Sequence, residues 1–295
     1  MIPAQFEYAR PASVDEALGI LRDNEGGAKV LSGGYSLLPL IKLRLAQPEL
    51  LVDIRDLPGL DGIGETDDDL RIGARATHAQ IAGNRIVRDR FPLLHDAAAG
   101  IGDPQVRNWG TIGGSCAHAD PSSDWPAVLL ATRATLVLRS ADGERMVAAR
   151  DFFLDSFQTA IEAIELLTEV RIPRPSGASG GAYAKLERRT GDFATVGVAV
   201  QLVLNDDGRI ANAGIALTAV AETPFAATDA EEALTGQGPT EEAFRAAGAA
   251  AAAQSRPASD SHGPVEYKRA MAAEMTVRAL RRAAERAAER ARPAR

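Results

Sequence analysis

The chain has 295 residues, 45% of them hydrophobic and 25% charged, with 33 Lys and Arg against 40 Asp and Glu and a net charge of −7. That length allows two domains, and the acidic balance argues against nucleic acid as the main partner. No apolar run approaches the ~18–20 residues of a membrane span, and no basic segment followed by an apolar core marks a secretory signal, so a cytoplasmic protein is expected. From the N-terminus, Ser13-Val14-Asp15-Glu16 forms a capping box ahead of Ala17, Leu18, Ile20 and Leu21 at helical spacing, and Gly26-Gly27 ends that helix. Lys29–Leu31 reads as a strand entering Ser32-Gly33-Gly34-Tyr35-Ser36. Leu37, Leu38, Leu40, Ile41 and Leu45 then repeat as a helix face, and Leu50–Ile54 is the next strand.

Beyond residue 60, Leu70–Ala74 reads as a strand, Thr77 as the cap of a helix through Ile81, and Phe91–Ala99 as a helix. Asp124–Ala131 is predicted helical, Ala134–Arg139 and Arg145–Ala149 form a hairpin about Asp142-Gly143, and Leu166–Ile172 is a strand stopped by Pro173. The Pro- and Gly-rich run from Pro173 to Gly181 reads as a linker. Tyr183–Arg188, Thr195–Leu204 and Ile210–Ala219 follow as strands, the last two joined by the turn Asn205–Gly208, and helices follow at Asp229–Leu234, Glu241–Ala253 and Pro264–Ala291. An antiparallel sheet covered by helices accounts for this second unit. The seven arginines from Arg278 onward suit a solvated helix end, with Glu285 and Glu289 as i±4 partners, better than a nucleic-acid arm.

Cys116 is the single cysteine, so neither an intrachain disulfide nor a cysteine-ligated zinc or iron–sulfur centre can be built from this chain. The histidines (His78, His95, His118, His262) are scattered. Only His118, Asp120 and Asp124 could be drawn together as a metal cluster, and no fourth ligand is suggested. No metal site is assigned, and redox chemistry would require an organic cofactor or another subunit.

Ser32–Ser36 and Thr111-Ile112-Gly113-Gly114-Ser115 share one plan, paired glycines bracketed by hydroxyl side chains. Successive amides in such turns form an anion nest, and a helix beginning there adds its dipole. A tight turn explains either segment alone; both together suggest a shared ligand. Neither segment contains Lys or Arg, so a diphosphate would rest on neutral donors. Neither matches the single-loop nucleotide motifs G-x-x-x-x-G-K-[ST] or G-x-G-x-x-G. Asp124 could accept hydrogen bonds from sugar or ribityl hydroxyls, or simply stabilise the start of its helix.

These motifs carry a resemblance. Ser32 through Lys42, Gly110 through Pro121, and Lys185-Leu186-Glu187-Arg188-Arg189 leading to Gly191-Asp192-Phe193-Ala194 are similar to the FAD-binding medium subunits of molybdenum hydroxylases, the xanthine dehydrogenase family, and within it to the carbon monoxide dehydrogenase branch. The likeness runs nearly end to end, from Ile2-Pro3 to Gly263-Pro264-Val265-Glu266-Tyr267. It implies an α+β chain: a vanillyl-alcohol-oxidase (PCMH)-type FAD-binding domain over residues 1–176, with two α/β subdomains of about 1–57 and 58–176, then a C-terminal antiparallel-sheet-plus-helices domain over 177–295. It also implies a heterotrimer, paired as a dimer, whose small subunit carries two [2Fe–2S] clusters and whose large subunit carries the molybdenum cofactor.

Carried over by position, Ser32, Gly33, Gly34, Tyr35 and Ser36 with Thr111, Ile112, Gly113, Gly114 and Ser115 would wrap the FAD diphosphate. Asp124 would bond sugar or ribityl hydroxyls, Leu167 would pack near the adenine, and Lys185 would lie near the flavin end. Read from the residues alone, Lys185 is equally an exposed strand lysine. The chain departs from the pattern at Tyr35, where relatives commonly have His or Gln, and at Phe193, which stands in place of a tyrosine beside the isoalloxazine. The implied role is electron transfer from the partner's clusters through FAD to a quinone, O2 or NAD+, with no side chain acting on the organic substrate. A stand-alone flavin oxidoreductase of the same fold and a metal hydrolase built on His118 are the rival readings.

Overall fold

The computed structural model describes residues 2–291, which build three units, each a sheet with its own hydrophobic core, and one further two-stranded sheet (Phe153–Asp155 with Gln158–Thr159). In the first unit, β1 (Glu7–Ala9), α1 (Val14–Asp23), β2 (Ala28–Leu31), α2 (Leu37–Lys42) and β3 (Leu50–Asp53) make a parallel sheet ordered β1-β3-β2. Ser13 caps α1 as its sequence implies, accepting a hydrogen bond from the Glu16 amide at 3.1 Å, and α1 buries Ala17, Leu18 and Leu21 against β3. The expected apolar face of α2 forms only in part: Ile41 is buried and Leu37 and Leu40 are half-buried, but Leu38 and Leu45 are exposed, as is Leu43 just past the helix. The helix ends at Lys42, and Arg44 takes a left-handed backbone (φ 59°), so Leu45 falls outside the helical period.

The second unit begins with β4 (Ile63–Glu65) and β5 (Asp69–Gly73), followed by the helices α3 (His78–Gly83), α4 (Arg85–Arg90), α5 (Pro92–Gly100), α6 (Pro104–Trp109), α7 (Ile112–His118) and α8 (Asp124–Thr132). Then come the hairpin β6 (Thr135–Ser140) and β7 (Gly143–Ala148), the short α9 (Ala149–Phe152), β8 (Phe153–Asp155) and β9 (Gln158–Thr159), and finally β10 (Leu166–Pro173). The antiparallel order is β4-β5-β10-β6-β7. The Thr77 capping box and the hairpin at Gly143 lie where the sequence places them. The second glycine segment also begins a helix, α7, with Thr111 as its cap.

In the third unit β11 (Ala178–Leu186), β12 (Val196–Leu204), β13 (Ile210–Thr218) and β14 (Phe225–Ala226) pair antiparallel in that order, packed against α10 (Thr228–Leu234), α11 (Glu241–Gln254) and α12 (Val265–Ala291). The predicted linker is shorter than its composition suggests, because Ala178–Gly181 is already strand. Gly180 lies under α12, where a Cβ would come within 2.0 Å of the Ala283 carbonyl oxygen; this glycine serves helix–sheet contact, not flexibility. The α12 arginines also pair differently from expectation. Arg278 meets Glu274, Arg281 meets Glu241, and Arg282 and Arg286 reach Asp96 on α5 at 3.1 and 2.7 Å. Neither Glu285 nor Glu289 has an ion-pair partner among the described residues, and Arg292 and Arg295 lie outside them. Among the described residues no helix is long and apolar enough to cross a membrane.

Candidate cofactor site

The two glycine turns, one on each α/β unit, meet. Ser32 Oγ lies 3.2 Å from Thr111 Oγ1. Gly33 makes that approach possible: a Cβ there would sit 2.0 Å from the Trp109 carbonyl oxygen. Ser32, Gly33 and Thr111 line one open cleft of about 320 Å³ together with Arg10, Arg55 and Arg75. The cations missing from the turns themselves therefore arrive from other parts of the chain, and they carry no local sequence signal. Arg10 is paired with Asp56 and Arg55 with Asp53, while Arg75 donates to the Leu57 carbonyl at 2.7 Å. Asp53 is fully buried. Burial alone would raise its pKa, but the hydrogen bonds from Arg55 and the Tyr8 hydroxyl outweigh it and hold the carboxyl below its usual value.

The turns differ in how their amides are used. In the first, Gly34 takes φ +85°, and the N–H groups from Gly33 to Leu37 meet no acceptor among the described residues. That is a nest at the start of α2. In the second, the four amides from Ile112 to Ser115 are spent within the protein. Ile112 donates to the Ala76 carbonyl at 3.0 Å, Gly113 to the Ala74 carbonyl at 2.8 Å, and Ser115 to the Thr111 carbonyl at 3.0 Å. Gly114 donates to Thr111 Oγ1 at 3.1 Å. Gly113 is small because a Cβ would lie 2.6 Å from Ala74. Ile112 is fully buried, and Ser115 Oγ is engaged with Ser123 Oγ at 2.6 Å. The expectation that amides of both turns form one nest is corrected accordingly. The second turn offers the Thr111 hydroxyl and a rigid wall.

Asp124 and Lys185 form a second cluster, across the boundary between α8 and β11. Asp124 is buried; it accepts hydrogen bonds from the Tyr183 hydroxyl at 2.6 Å and from Lys185 Nζ at 3.1 Å. Burial outweighs these favourable contacts and raises the Asp124 pKa, while burial and the adjacent carboxylate push the Tyr183 phenol well up. The Lys185 side chain is 9% exposed and also faces Glu187 at 3.7 Å, so it is no exposed strand lysine. Tyr183 has no motif around it; alternation in β11 is its only sequence signal.

Phe193 is 55% exposed on the loop after β11, whose Gly191 rests against the Gly102 backbone. Tyr35 is exposed and Ser36 makes no side-chain capping bond. Leu167 is buried in the second core, beside a register shift in β10. His118 packs against Phe157 with ring centroids 5.1 Å apart, Asp120 accepts from the Ser122 amide, and no group of three or more His, Cys, Asp or Glu among the described residues is placed to hold a metal.

Comparison with known proteins follows this architecture. Residues 4–175 match the family described as FAD binding domain in molybdopterin dehydrogenase, and residues 181–283 match the CO dehydrogenase flavoprotein C-terminal domain. The chain belongs to the FAD-binding medium subunits of molybdenum hydroxylases. This medium subunit is 46% identical over 281 residues to the carbon monoxide dehydrogenase medium chain of Hydrogenophaga pseudoflava, covering 95% of this chain and 97% of that one. It superimposes on a chain of the reconstituted CO dehydrogenase from Oligotropha carboxidovorans with a TM-score of 0.94 at 43% identity, covering 97% and 100% of the two chains. On a chain of the quinoline 2-oxidoreductase of Pseudomonas putida 86 the TM-score is 0.91 at 35% identity, covering 97% and 99%. FAD is the cofactor of this domain, and the residues fit it: an unspent amide nest beside hydroxyl and guanidinium groups suits a diphosphate.

Proposed function

We propose that this medium subunit is the flavin relay of a three-subunit molybdenum hydroxylase, holding FAD where its two glycine turns meet. The observation that carries the reading is the run of five amides, Gly33 to Leu37, with no acceptor of their own, held against the second turn by the Gly33–Trp109 contact. When bound, FAD supplies the redox chemistry, accepting electrons from the [2Fe–2S] clusters of a small partner subunit and passing them to a quinone, O2 or NAD+. The protein's own part is binding and orientation. The nest and Thr111 would fix the diphosphate, Arg10, Arg55 and Arg75 would offset its charge, and Ser32 and Ser36 would supply further donors. Tyr35 and Phe193 offer aromatic surface, and Leu167 an apolar wall for the adenine. Lys185 is the cation available toward the flavin end, held in place by Asp124.

No side chain in this arrangement is required to take a proton from an organic substrate. That task falls to the large subunit with its molybdenum cofactor, and the carbon monoxide dehydrogenase relatives make carbon monoxide the first substrate to assay. Reconstitution tests the reading. The purified chain, titrated with FAD, should develop the absorption bands of protein-bound flavin at one equivalent and show no turnover of organic substrates by itself. A chain that acquires no flavin, or that oxidises a substrate alone, contradicts it.

A further inference from the structure

Five non-glycine residues among those described take a left-handed backbone, a conformation that costs free energy. Arg44 stands apart, and the other four bracket α8. Ala119 (φ 49°) precedes the helix and Arg133 (φ 53°) caps its end. Phe157 (φ 59°) and Ala219 (φ 67°) are distant in sequence but grip the loop that leads into it. The Phe157 amide donates to the Ala119 carbonyl at 3.0 Å, and the Ala219 amide donates to the Pro121 carbonyl at 2.9 Å. Beside Ala219, at the end of β13, Thr218 is buried. Its hydroxyl has one proton to offer two carbonyl oxygens, Pro121 at 2.7 Å and Ser123 at 2.9 Å. Ser156 Oγ ties the Phe157 turn to the third unit as well, donating to the Glu222 carbonyl at 2.6 Å. At the far end of α8, Arg133 faces Glu231 of α10 at 3.7 Å, and Glu231 also receives Arg150 at 2.5 Å.

Strain of this kind persists only where the surroundings over-determine it, and it collects where a geometry is held ready for use. What is held here is the start of α8. Ser123 Oγ is bonded to Ser115 Oγ of the second glycine turn, and the next residue, Asp124, binds Tyr183 and Lys185. We infer that Thr218, with Ala219, is a positioning residue of the cofactor site, fixing the Pro121–Ser123 backbone of the second unit and through it the Asp124 carboxylate and the wall formed by the second turn. The inference rests on the flavin-relay reading above. Thr218 acts through that backbone rather than on the cofactor. It gives the third unit a part in cofactor binding beyond Lys185 and Phe193. The loop is set before FAD arrives, so its ordering is not charged against the binding step.

The test is a titration of the full chain with FAD, followed by flavin absorbance, with a melting curve for each variant. Thr218→Val keeps the side-chain volume and removes the hydroxyl. The folded variant should bind FAD about tenfold more weakly, and Thr218→Ser should restore the affinity. Ala119→Gly separates stability from binding. Glycine takes a left-handed backbone freely, so the melting temperature should rise by about 2 °C. Its FAD affinity should fall about threefold or more, because the loop is no longer held in one conformation. Thr276→Val removes a buried hydroxyl that donates to the Ala272 carbonyl within α12, and should leave the affinity unchanged. An FAD affinity equal to that of the unmodified chain, in folded Thr218→Val or in Ala119→Gly, overturns the positioning role alone. So does a loss that Thr218→Ser fails to restore, or an equal loss in Thr276→Val. An unmodified chain that takes up no flavin overturns the relay reading as well.

Discussion

The turn at Ser32–Ser36 and the turn at Thr111–Ser115 look interchangeable in composition, yet they do opposite work. The first keeps five consecutive amides unspent at the entrance to α2. The second spends its amides on Ala74, Ala76 and its own cap, and buries Ile112 completely. Glycine pairs therefore report close backbone approach in both cases, but what approaches differs. At Gly33 it is the second unit's side of the cleft, through Trp109; at Gly113 it is the end of β5 through Ala74. A nest and its abutment share one motif.

That contrast can be broken or sharpened by substitution. If the second turn and the α8 start that follows it are structural, the largest effect should be on stability at Asp124. Asp124→Asn leaves the buried Lys185 ammonium without its main counter-charge and should cost about 3–5 kcal/mol in denaturant unfolding. A change below 1 kcal/mol would show that the pair is not desolvated as described. His78, behind the second turn, comes next. Burial foremost, with the Arg107 charge, lowers its pKa to about 4, and it accepts a hydrogen bond from the Trp125 indole at 3.0 Å. The folded state thus keeps this imidazole neutral after the unfolded chain has taken up a proton near pH 6.5. Its contribution is whole above that pH and falls away as the pH drops toward 4, by about 3 kcal/mol relative to His78→Asn, which keeps an acceptor without the titration. Equal pH profiles for the two proteins would contradict this.

The glycines separate the turns most directly. Gly113→Ala should lower stability by about 1–3 kcal/mol through overpacking against Ala74, with flavin affinity of the folded fraction nearly unchanged. Gly33→Ala should instead force the turns apart and weaken FAD binding about a hundredfold, a loss near 2.7 kcal/mol. Equal loss of affinity in both would erase the distinction. The smallest effects belong to the hydroxyls. Ser115→Ala removes the bond to Ser123 and should cost about 1 kcal/mol of stability with FAD affinity intact. Ser32→Ala should weaken FAD by up to about tenfold and leave the melting curve almost in place.

Much of the fold was readable locally, because caps and turns are decided by neighbouring residues. Ser13, Thr77 and the Asn205–Gly208 turn all act where their sequence context puts them. Legibility failed where a distant partner decides. Nothing near Gly113 announces that its amide is taken by Ala74, and nothing near Pro173–Gly181 announces that α12 will lie on Gly180. The leucines of α2 show the same limit: apolar spacing marks a face, not how much of it this chain will cover. In the site, Ser32 and Thr111 were paired by their motif, whereas Tyr183 and the arginines of the cleft reach it only through tertiary structure.

Amide hydrogen exchange on the chain with and without FAD puts the central claim to its most direct test. The amides of Gly33 to Leu37 should exchange fast in the free chain and become strongly protected on flavin binding, while Ile112 and Gly113 should be protected in both states. Protection that appears instead at Ile112–Ser115, with Gly33–Leu37 unchanged by FAD, would contradict the assignment of the diphosphate to the first turn.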